Sequence, residues 1–450
     1  MYYKRISIFY VINFSVTRDQ VGCYDISSWA ETNSLLYCIT KMVTDTPLEI
    51  KELLRIYNIS PGMSASIIPL KDAESRGLSL ELEEPPELAT KIAGYDALFS
   101  TGLSKDYVEK REFNLFISIR ELLQNALDEE ELISGRPDVQ FWQDTLGTWI
   151  IDRGRGITLE ALRMGESNKE SWMRGYYGEG LKLAASNLTL NQIPVYIFTG
   201  QMVFRFIVLP RDARNPGIFI LLGRSKEAIE GTKILLSGYK ADLKFIKKMV
   251  RFWNKELEGK LIVEERFSSE DCPKEMPSAM FDFPNLLYIR NMYAGEMSEV
   301  SKRKSFFSYD LWWFRFDVSR KLMTQSMPQL FLEIAKLLEK SAGARKKYAE
   351  KLVESGMLKM KPLGRGLLIE FNPTFSIVEG HLFVYAFPKG MLDAFIEALG
   401  LKDKRDLLRR VSTNEEAESA VSKGLIPILL PYELSEQFSS IPPLQNRSLT

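Results

Sequence analysis

The stretch Arg120–Glu131, "RELLQNALDEEE", decides how this chain is read. It follows the apolar lead-in "FNLFISI" (113–119), so it reads as an amphipathic helix entering a core. At 100° per residue, Phe116, Ile119, Leu122, Leu123, Ala126 and Leu127 fall on one apolar stripe. Glu121, Asn125 and Asp128 stand at i, i+4 and i+7 and share the other face. A merely solvated face would be served equally well by lysines. A carboxylate, an amide and a second carboxylate in one line call for a chemical reason.

Downstream, "DVQFWQD" (138–144), the turn "TLG" and "TWIID" (148–152) form a hairpin whose second strand ends in Asp152. "RGRGI" follows at once, placing Gly154 and Gly156 just beyond that acid. A polar stretch, "LRMGESNKESWMRG" (162–175), leads into the Gly-rich "GYYGEG" (175–180) and a helix, "LKLAASNL". Bare backbone amides at a helix start of this kind can cradle phosphate oxygens. Three or four short strands with tight turns are expected next, over "PVYIFTG", "MVFRFIVLP", "GIFILLGR" and "EGTKILLSG". Helix, hairpin, loop, helix and antiparallel meander predict an α+β sandwich, with helices on one face of a mixed, largely antiparallel sheet.

In this order the segments resemble the ATP-binding boxes of the gyrase, heat-shock chaperone, histidine kinase and MutL superfamily (GHKL), whose ATP site is the Bergerat fold. "ELLQNALD" resembles the first box, "DRGRG" the second, "GYYGEG" the third and "EGTKI" (230–234) the fourth. Asp152 follows Asn125 by 27 positions and Gly175 follows Asp152 by 23, spacings that fit, and the likeness spans 115–240. The resemblance implies ATP and Mg²⁺ as ligands. Asn125 would give a neutral oxygen to Mg²⁺, which takes few protein oxygens and completes its shell with phosphate and water. Asp152 would accept from the adenine 6-amino group, with Gly154 and Gly156 letting the backbone pass close under the base. Gly175, Gly178 and Gly180 would present amides to the phosphates, Ser167, Lys169 and Arg174 would belong to the lid, and Thr232 would hold the adenine end. Lys169 is a candidate phosphate ligand, and Asp128 is assigned to the adenine-side rim or to support.

Glu121 sets the class within that resemblance. Hydrolysis needs a base to orient and deprotonate water, and hydrolysing branches carry a glutamate four residues before the metal asparagine. Histidine kinases typically carry asparagine there, and the one histidine of this chain, His381, lies in "HLFVYAF", read as a strand. An ATPase is therefore expected and a histidine kinase disfavoured. The lid and "GEGLKLA" are most similar to the microrchidia (MORC) type and related prokaryotic ATPases. Lys182 of "GLK" either steers phosphate or lies on the helix surface, with surface slightly preferred. Arg303 and Arg320 are candidate basic residues from a following transducer region. The resemblance implies lid closure and dimerisation driven by ATP, acting on DNA in remodelling or repair. A chaperone-like role on client proteins and a nucleotide-gated scaffold with little turnover stay open.

The remaining signals bound these readings. With 450 residues, the chain exceeds one compact domain. Expected divisions are an extension over 1–60, the ATP-binding domain over 61–240, a mixed α/β transducer-like region over 241–345, and a small C-terminal α/β module over 346–450 with a disordered tail. A formal net charge of zero gives no global attraction to nucleic acid or anionic membrane, and the basic stretches (240–255, 302–304, 345–351) read as solvated faces. Cys23, Cys38 and Cys272 lack metal-ligand spacing and point to a reducing compartment, hence a cytoplasmic location. No apolar run reaches the ~20 residues of a membrane span. The start, "MYYKRISIFYVINFSV", reads as a strand or as sequence upstream of a start at Met42.

Overall fold

The computed structural model describes residues 48–75, 80, 84–111, 113–134, 138–162, 173–174, 179–210, 216–269, 272–314, 327–372, 377–430, 434 and 438–444. The chain divides into two compact units, 1–241 and 242–450. Both are α+β, and no helix among the described residues is long and apolar enough to cross a membrane.

The first unit begins with α1 (Leu48–Ile56), β1 (Ile67–Pro69), α2 (Leu70–Ser75) and α3 (Pro86–Ala89). Tyr57, beside α1, is 1% exposed, and its hydroxyl donates to Asp96 at 2.7 Å, so the ordered fold starts before residue 61. There follow β2 (Ile92–Ser104), α4 (Lys105–Lys110), α5 (Leu115–Ser134), β3 (Gln140–Gln143), β4 (Gly147–Asp152), α6 (Gly180–Leu190), β5 (Val195–Pro210) and β6 (Pro216–Ser237). The sheet runs β1-β2-β6-β4-β3, with β5 also paired to β6, and every described pairing is antiparallel. The mixed character expected of this sheet is found in the second unit instead.

Two long strands replace the three or four short ones expected over 194–238. β5 is continuous through Gly200 and β6 through Gly231. Both glycines have positive φ, 55° and 68°, and the register shifts on either side of Gly200. Glycines that read as turns therefore serve as bulges, which bend a strand without ending it.

On β4, Trp149 and Ile151 face one way and join Leu88, Tyr196, Phe198 and Leu235 in a cluster. Thr148, Ile150 and Asp152 face the other way by the alternation of a strand. Pairing across β4, β6 and β5 sets out that face in rows: Ile150, Ile234 and Ile197, then Asp152, Thr232 and Thr199. α5 packs against β4 and α6 against β5, and the helices are tied by Asn187 Nδ2 donating to Ser118 Oγ at 3.0 Å. Asn114 starts α5 by accepting from the Ile117 amide at 2.8 Å, an N-cap.

The second unit opens with α7 (Leu243–Met249) and α8 (Lys255–Glu258). Next come β7 (Leu261–Ser269), β8 (Cys272–Phe281), β9 (Leu286–Ile289), β10 (Met292–Glu296), α9 (Met297–Ser301) and β11 (Ser308–Leu311). Its first sheet runs β10-β9-β11-β8-β7, with β9 and β11 parallel. α10 (Met327–Lys340) and α11 (Ala342–Glu354) lead to β12 (Leu358–Leu363), β13 (Gly366–Phe371), α12 (Val378–Tyr385), α13 (Met391–Ala398), β14 (Leu408–Val411), α14 (Asn414–Ser422) and β15 (Ile426–Leu429). The second sheet runs β12-β13-β15-β14, with both β15 pairings parallel.

One core takes Leu287 and Tyr309 from the first sheet, Ile334 and Tyr348 from the helices, and Ile369 and Ile428 from the second sheet. The division expected at 345/346 falls inside α11, whose Tyr348 belongs to that shared core. "HLFVYAF", read as a strand, is largely the helix α12: a short run apolar on all sides has no period that separates a buried helix from a buried strand. His381 lies 6.1 Å from both Phe331 and Tyr385, whose rings stack on each other at 5.4 Å. The basic stretch at 240–255 is not wholly a solvated face. Arg251 is 8% exposed and lies among Glu264 (2.6 Å), Glu258 (3.4 Å) and Asp310 (3.4 Å).

Candidate functional site

The apolar stripe of α5 is buried as its periodicity requires, with Ile119, Leu122, Leu123, Ala126 and Leu127 at 1% exposure or less. The polar face is not solvated either. Glu121 is 2% exposed, Asp128 is fully buried and Asn125 is half-buried. Glu121 Oε1 lies 3.3 Å from the guanidinium of Arg120.

The acidic end of α5 grips the segments that follow it in sequence. Asp128 Oδ1 accepts from the Arg174 amide at 2.9 Å and from its guanidinium at 3.2 Å, and Glu131 accepts from the same guanidinium at 2.9 Å. Glu129 takes a two-pronged hydrogen bond from Arg155 at 3.0 and 2.8 Å. Glu130 accepts from the Arg153 amide at 2.6 Å. Each carboxylate of this run thus has a positioning contact, and Asp128 holds the residue that directly precedes the Gly-rich stretch.

Asp152 ends β4 at 2% exposure. Its Oδ1 accepts from the Gly154 amide at 2.9 Å, closing an Asx turn. Burial pushes its carboxyl up to about 7, with Glu129 and Glu130 adding to the rise and the amides of Gly154 and Thr232 opposing it. Gly154 is needed because a Cβ there would stand 2.4 Å from Glu129 Cβ. Gly231, at φ 68°, meets the Asp152 carbonyl so closely that a Cβ would lie 2.2 Å from its oxygen.

Directly across from Asp152, Thr232 is 1% exposed, and its hydroxyl has no hydrogen-bond partner among the described residues. That row is costly to the fold. An isoleucine placed there, as in the row beside it, would gain about 1.5–3 kcal/mol by burial. The unpartnered hydroxyl costs a further ~1–3 kcal/mol. Packing alone would select an apolar row.

Gly180 begins α6 and is buried, while Gly175, Gly178, Lys169 and Ser167 lie outside the described residues. Lys182, expected on the helix surface, is fully buried. In the second unit, the Arg303 guanidinium donates to the Ser301 carbonyl at 2.8 Å, and Arg320 lies outside the described residues. Among the described residues, no three His, Cys, Asp or Glu side chains group as a metal cage.

Two contributors escape the motifs, Thr199 and the run Glu129–Glu131. Thr199 had a readable signal: it continues the inward parity of Val195 and Ile197 but is polar. Compared with protein-family models and with curated proteins, the chain matches none.

Proposed function

We propose that the first unit is a Bergerat-type ATP-binding domain and that the chain is a Mg²⁺-dependent ATPase. The observation that carries this reading is the pair Asp152 and Thr232: a buried carboxyl opposite a buried hydroxyl with no partner among the described residues, walled by glycine backbone, beside a row of isoleucines on the same sheet face. That pair supplies an acceptor for an exocyclic amino group and a second hydroxyl contact, which suits adenine. Guanine presents no amino donor at the corresponding place.

Asn125, half-buried on α5, would offer its amide oxygen to Mg²⁺. When bound, Mg²⁺ neutralises charge on the phosphates. Glu121, one turn before Asn125, is the candidate general base that orients and deprotonates water. Asp128, Glu131 and Arg174 fix the start of the Gly-rich stretch, whose amides at Gly175, Gly178 and Gly180 would face phosphate, with Lys169 a further phosphate ligand. Dimerisation on ATP binding, action on DNA and a cytoplasmic location belong to the same proposal. Client proteins as the target, or a scaffold with little turnover, are the alternatives. Salt-dependent DNA binding would favour the first.

The test is ATP hydrolysis with Mg²⁺ by wild type and Glu121→Ala, with ATP binding measured on the same preparations. The variant should bind ATP and lose turnover by about 10²-fold or more. Equal turnover in the two proteins would remove Glu121 from the chemistry. Binding without turnover in wild type would favour the scaffold.

A further inference from the structure

We infer that Thr199, which lies outside the four boxes, is the positioning residue that sets base recognition; the inference rests on the nucleotide reading above. Its hydroxyl, on a side chain 3% exposed, donates to the Gly231 carbonyl at 3.0 Å and accepts from the Ile157 amide at 3.1 Å. Gly156 approaches the same oxygen so closely that a Cβ would stand 2.5 Å from it. One hydroxyl therefore joins β5, the loop that leaves Asp152, and the bulge that leads into Thr232.

The same bonds remove Thr199 as a donor to Thr232, whose hydroxyl has no hydrogen-bond partner among the described residues. Thr199 stands directly opposite it across the strand pair, where two threonines would ordinarily hydrogen-bond to each other. The Thr199 proton is committed to Gly231, and the Ile157 amide takes an acceptor position. Thr232 is left to a ligand. Gly231 in turn packs on the Asp152 carbonyl, so a shift of the bulge moves Thr232 and Asp152 relative to each other. Glu121, on α5, makes none of these bonds.

Thr199→Val keeps the shape and removes the hydroxyl. It leaves the Gly231 carbonyl and the Ile157 amide without this partner, and Thr199→Ser restores it. The experiment measures Kd for ATP and GTP by titration, and turnover at saturating ATP, in the full chain as wild type, T199V and T199S. For T199V, ATP affinity should fall about tenfold, the value of one buried hydrogen bond. The ATP-to-GTP preference should narrow, turnover at saturation should stay within about twofold, and T199S should recover the wild-type values. If T199V folds poorly, Thr199→Ala and Thr199→Ser, without and with the hydroxyl in less volume, give the same comparison. Unchanged ATP affinity in T199V, an equal loss for both nucleotides and turnover, or no rescue by serine would overturn the inference while leaving the ATP site standing. Absence of ATP binding by wild type would overturn both.

Discussion

Asp152 in the first unit and Glu379 in the second are both buried carboxyls that burial pushes up to about 7. Each has at hand a buried oxygen without a hydrogen-bond partner among the described residues, Thr232 Oγ1 beside Asp152 and Oε2 of Glu379 itself. Their surroundings differ. Glu379 Oε1 accepts from the Ser305 hydroxyl at 2.6 Å and the Phe306 amide at 3.0 Å, with fully buried Phe307, Tyr309 and Tyr348 in the same core. It pins the start of α12. Asp152 is followed by exposed Arg153 and Arg155, with glycines after them that pack closely on Glu129 and Thr199. A raised carboxyl is thus no mark of a site by itself. Under the proposed reading, the distinguishing feature is a raised carboxyl beside a hydroxyl without a partner among the described residues.

Removing each carboxyl in turn separates the two roles. Asp152→Asn should raise the Kd for ATP about 10²-fold, as a hydrogen bond to a charged group is worth ~1.5–3 kcal/mol, with little change in unfolding. Glu379→Ala should do the reverse: about 2–3 kcal/mol of stability lost in denaturant unfolding, because Ser305 and Phe306 lose their buried acceptor, with ATP affinity unchanged. If both variants lost affinity, the contrast would fail. Gly231→Ala forces a methyl against the Asp152 carbonyl at φ 68°. It should cost more than about 1 kcal/mol and weaken ATP binding together with stability.

Titration sharpens the contrast further. In both carboxyls the folded state holds the proton more tightly than the unfolded chain. Each therefore favours the folded state at low pH, and that contribution is lost as pH rises from the ordinary carboxylate range through about 7. ATP binding runs the other way, since the adenine amino group needs an ionised acceptor. Its Kd should drop as pH rises toward about 7, by up to about tenfold per unit, and Asp152→Asn should abolish the dependence. Glu379→Gln keeps an acceptor for Ser305 and Phe306 and has no charge to bury. It should stay within about 1 kcal/mol of wild type and flatten the loss of stability between the ordinary carboxylate range and about pH 7.

Much of the first unit was legible in its sequence because its signals are local. The 3.6-residue stripe of α5, the "TLG" hairpin and the strand ending at Asp152 each need only a few neighbours to be read. The merging of several short strands into two was not legible, because Gly200 and Gly231 carry the same residue signal in a turn as in a bulge, and only pairing with the opposite strand distinguishes them. Lys182 was misplaced for a related reason: burial of a lysine depends on packing between α6 and its surroundings, which no periodicity encodes. α12 shows the third limit, since an apolar run without polar punctuation has no phase. Thr199 was visible as a polar break in an inward row, but its bonds to Gly231 and Ile157 join residues far apart in sequence.

If Asp152 and Thr232 form the base end of an adenine nucleotide site, both nucleotide preference and its loss must trace to them. Calorimetric titration of ATP and GTP into the full chain, wild type and Asp152→Asn, at a pH above 7 with Mg²⁺ present, reads both at once. Saturable binding of ATP, weaker binding of GTP, and loss of the ATP signal in the variant are expected. Equal affinity for ATP in both proteins, or no binding by wild type, would contradict the assignment.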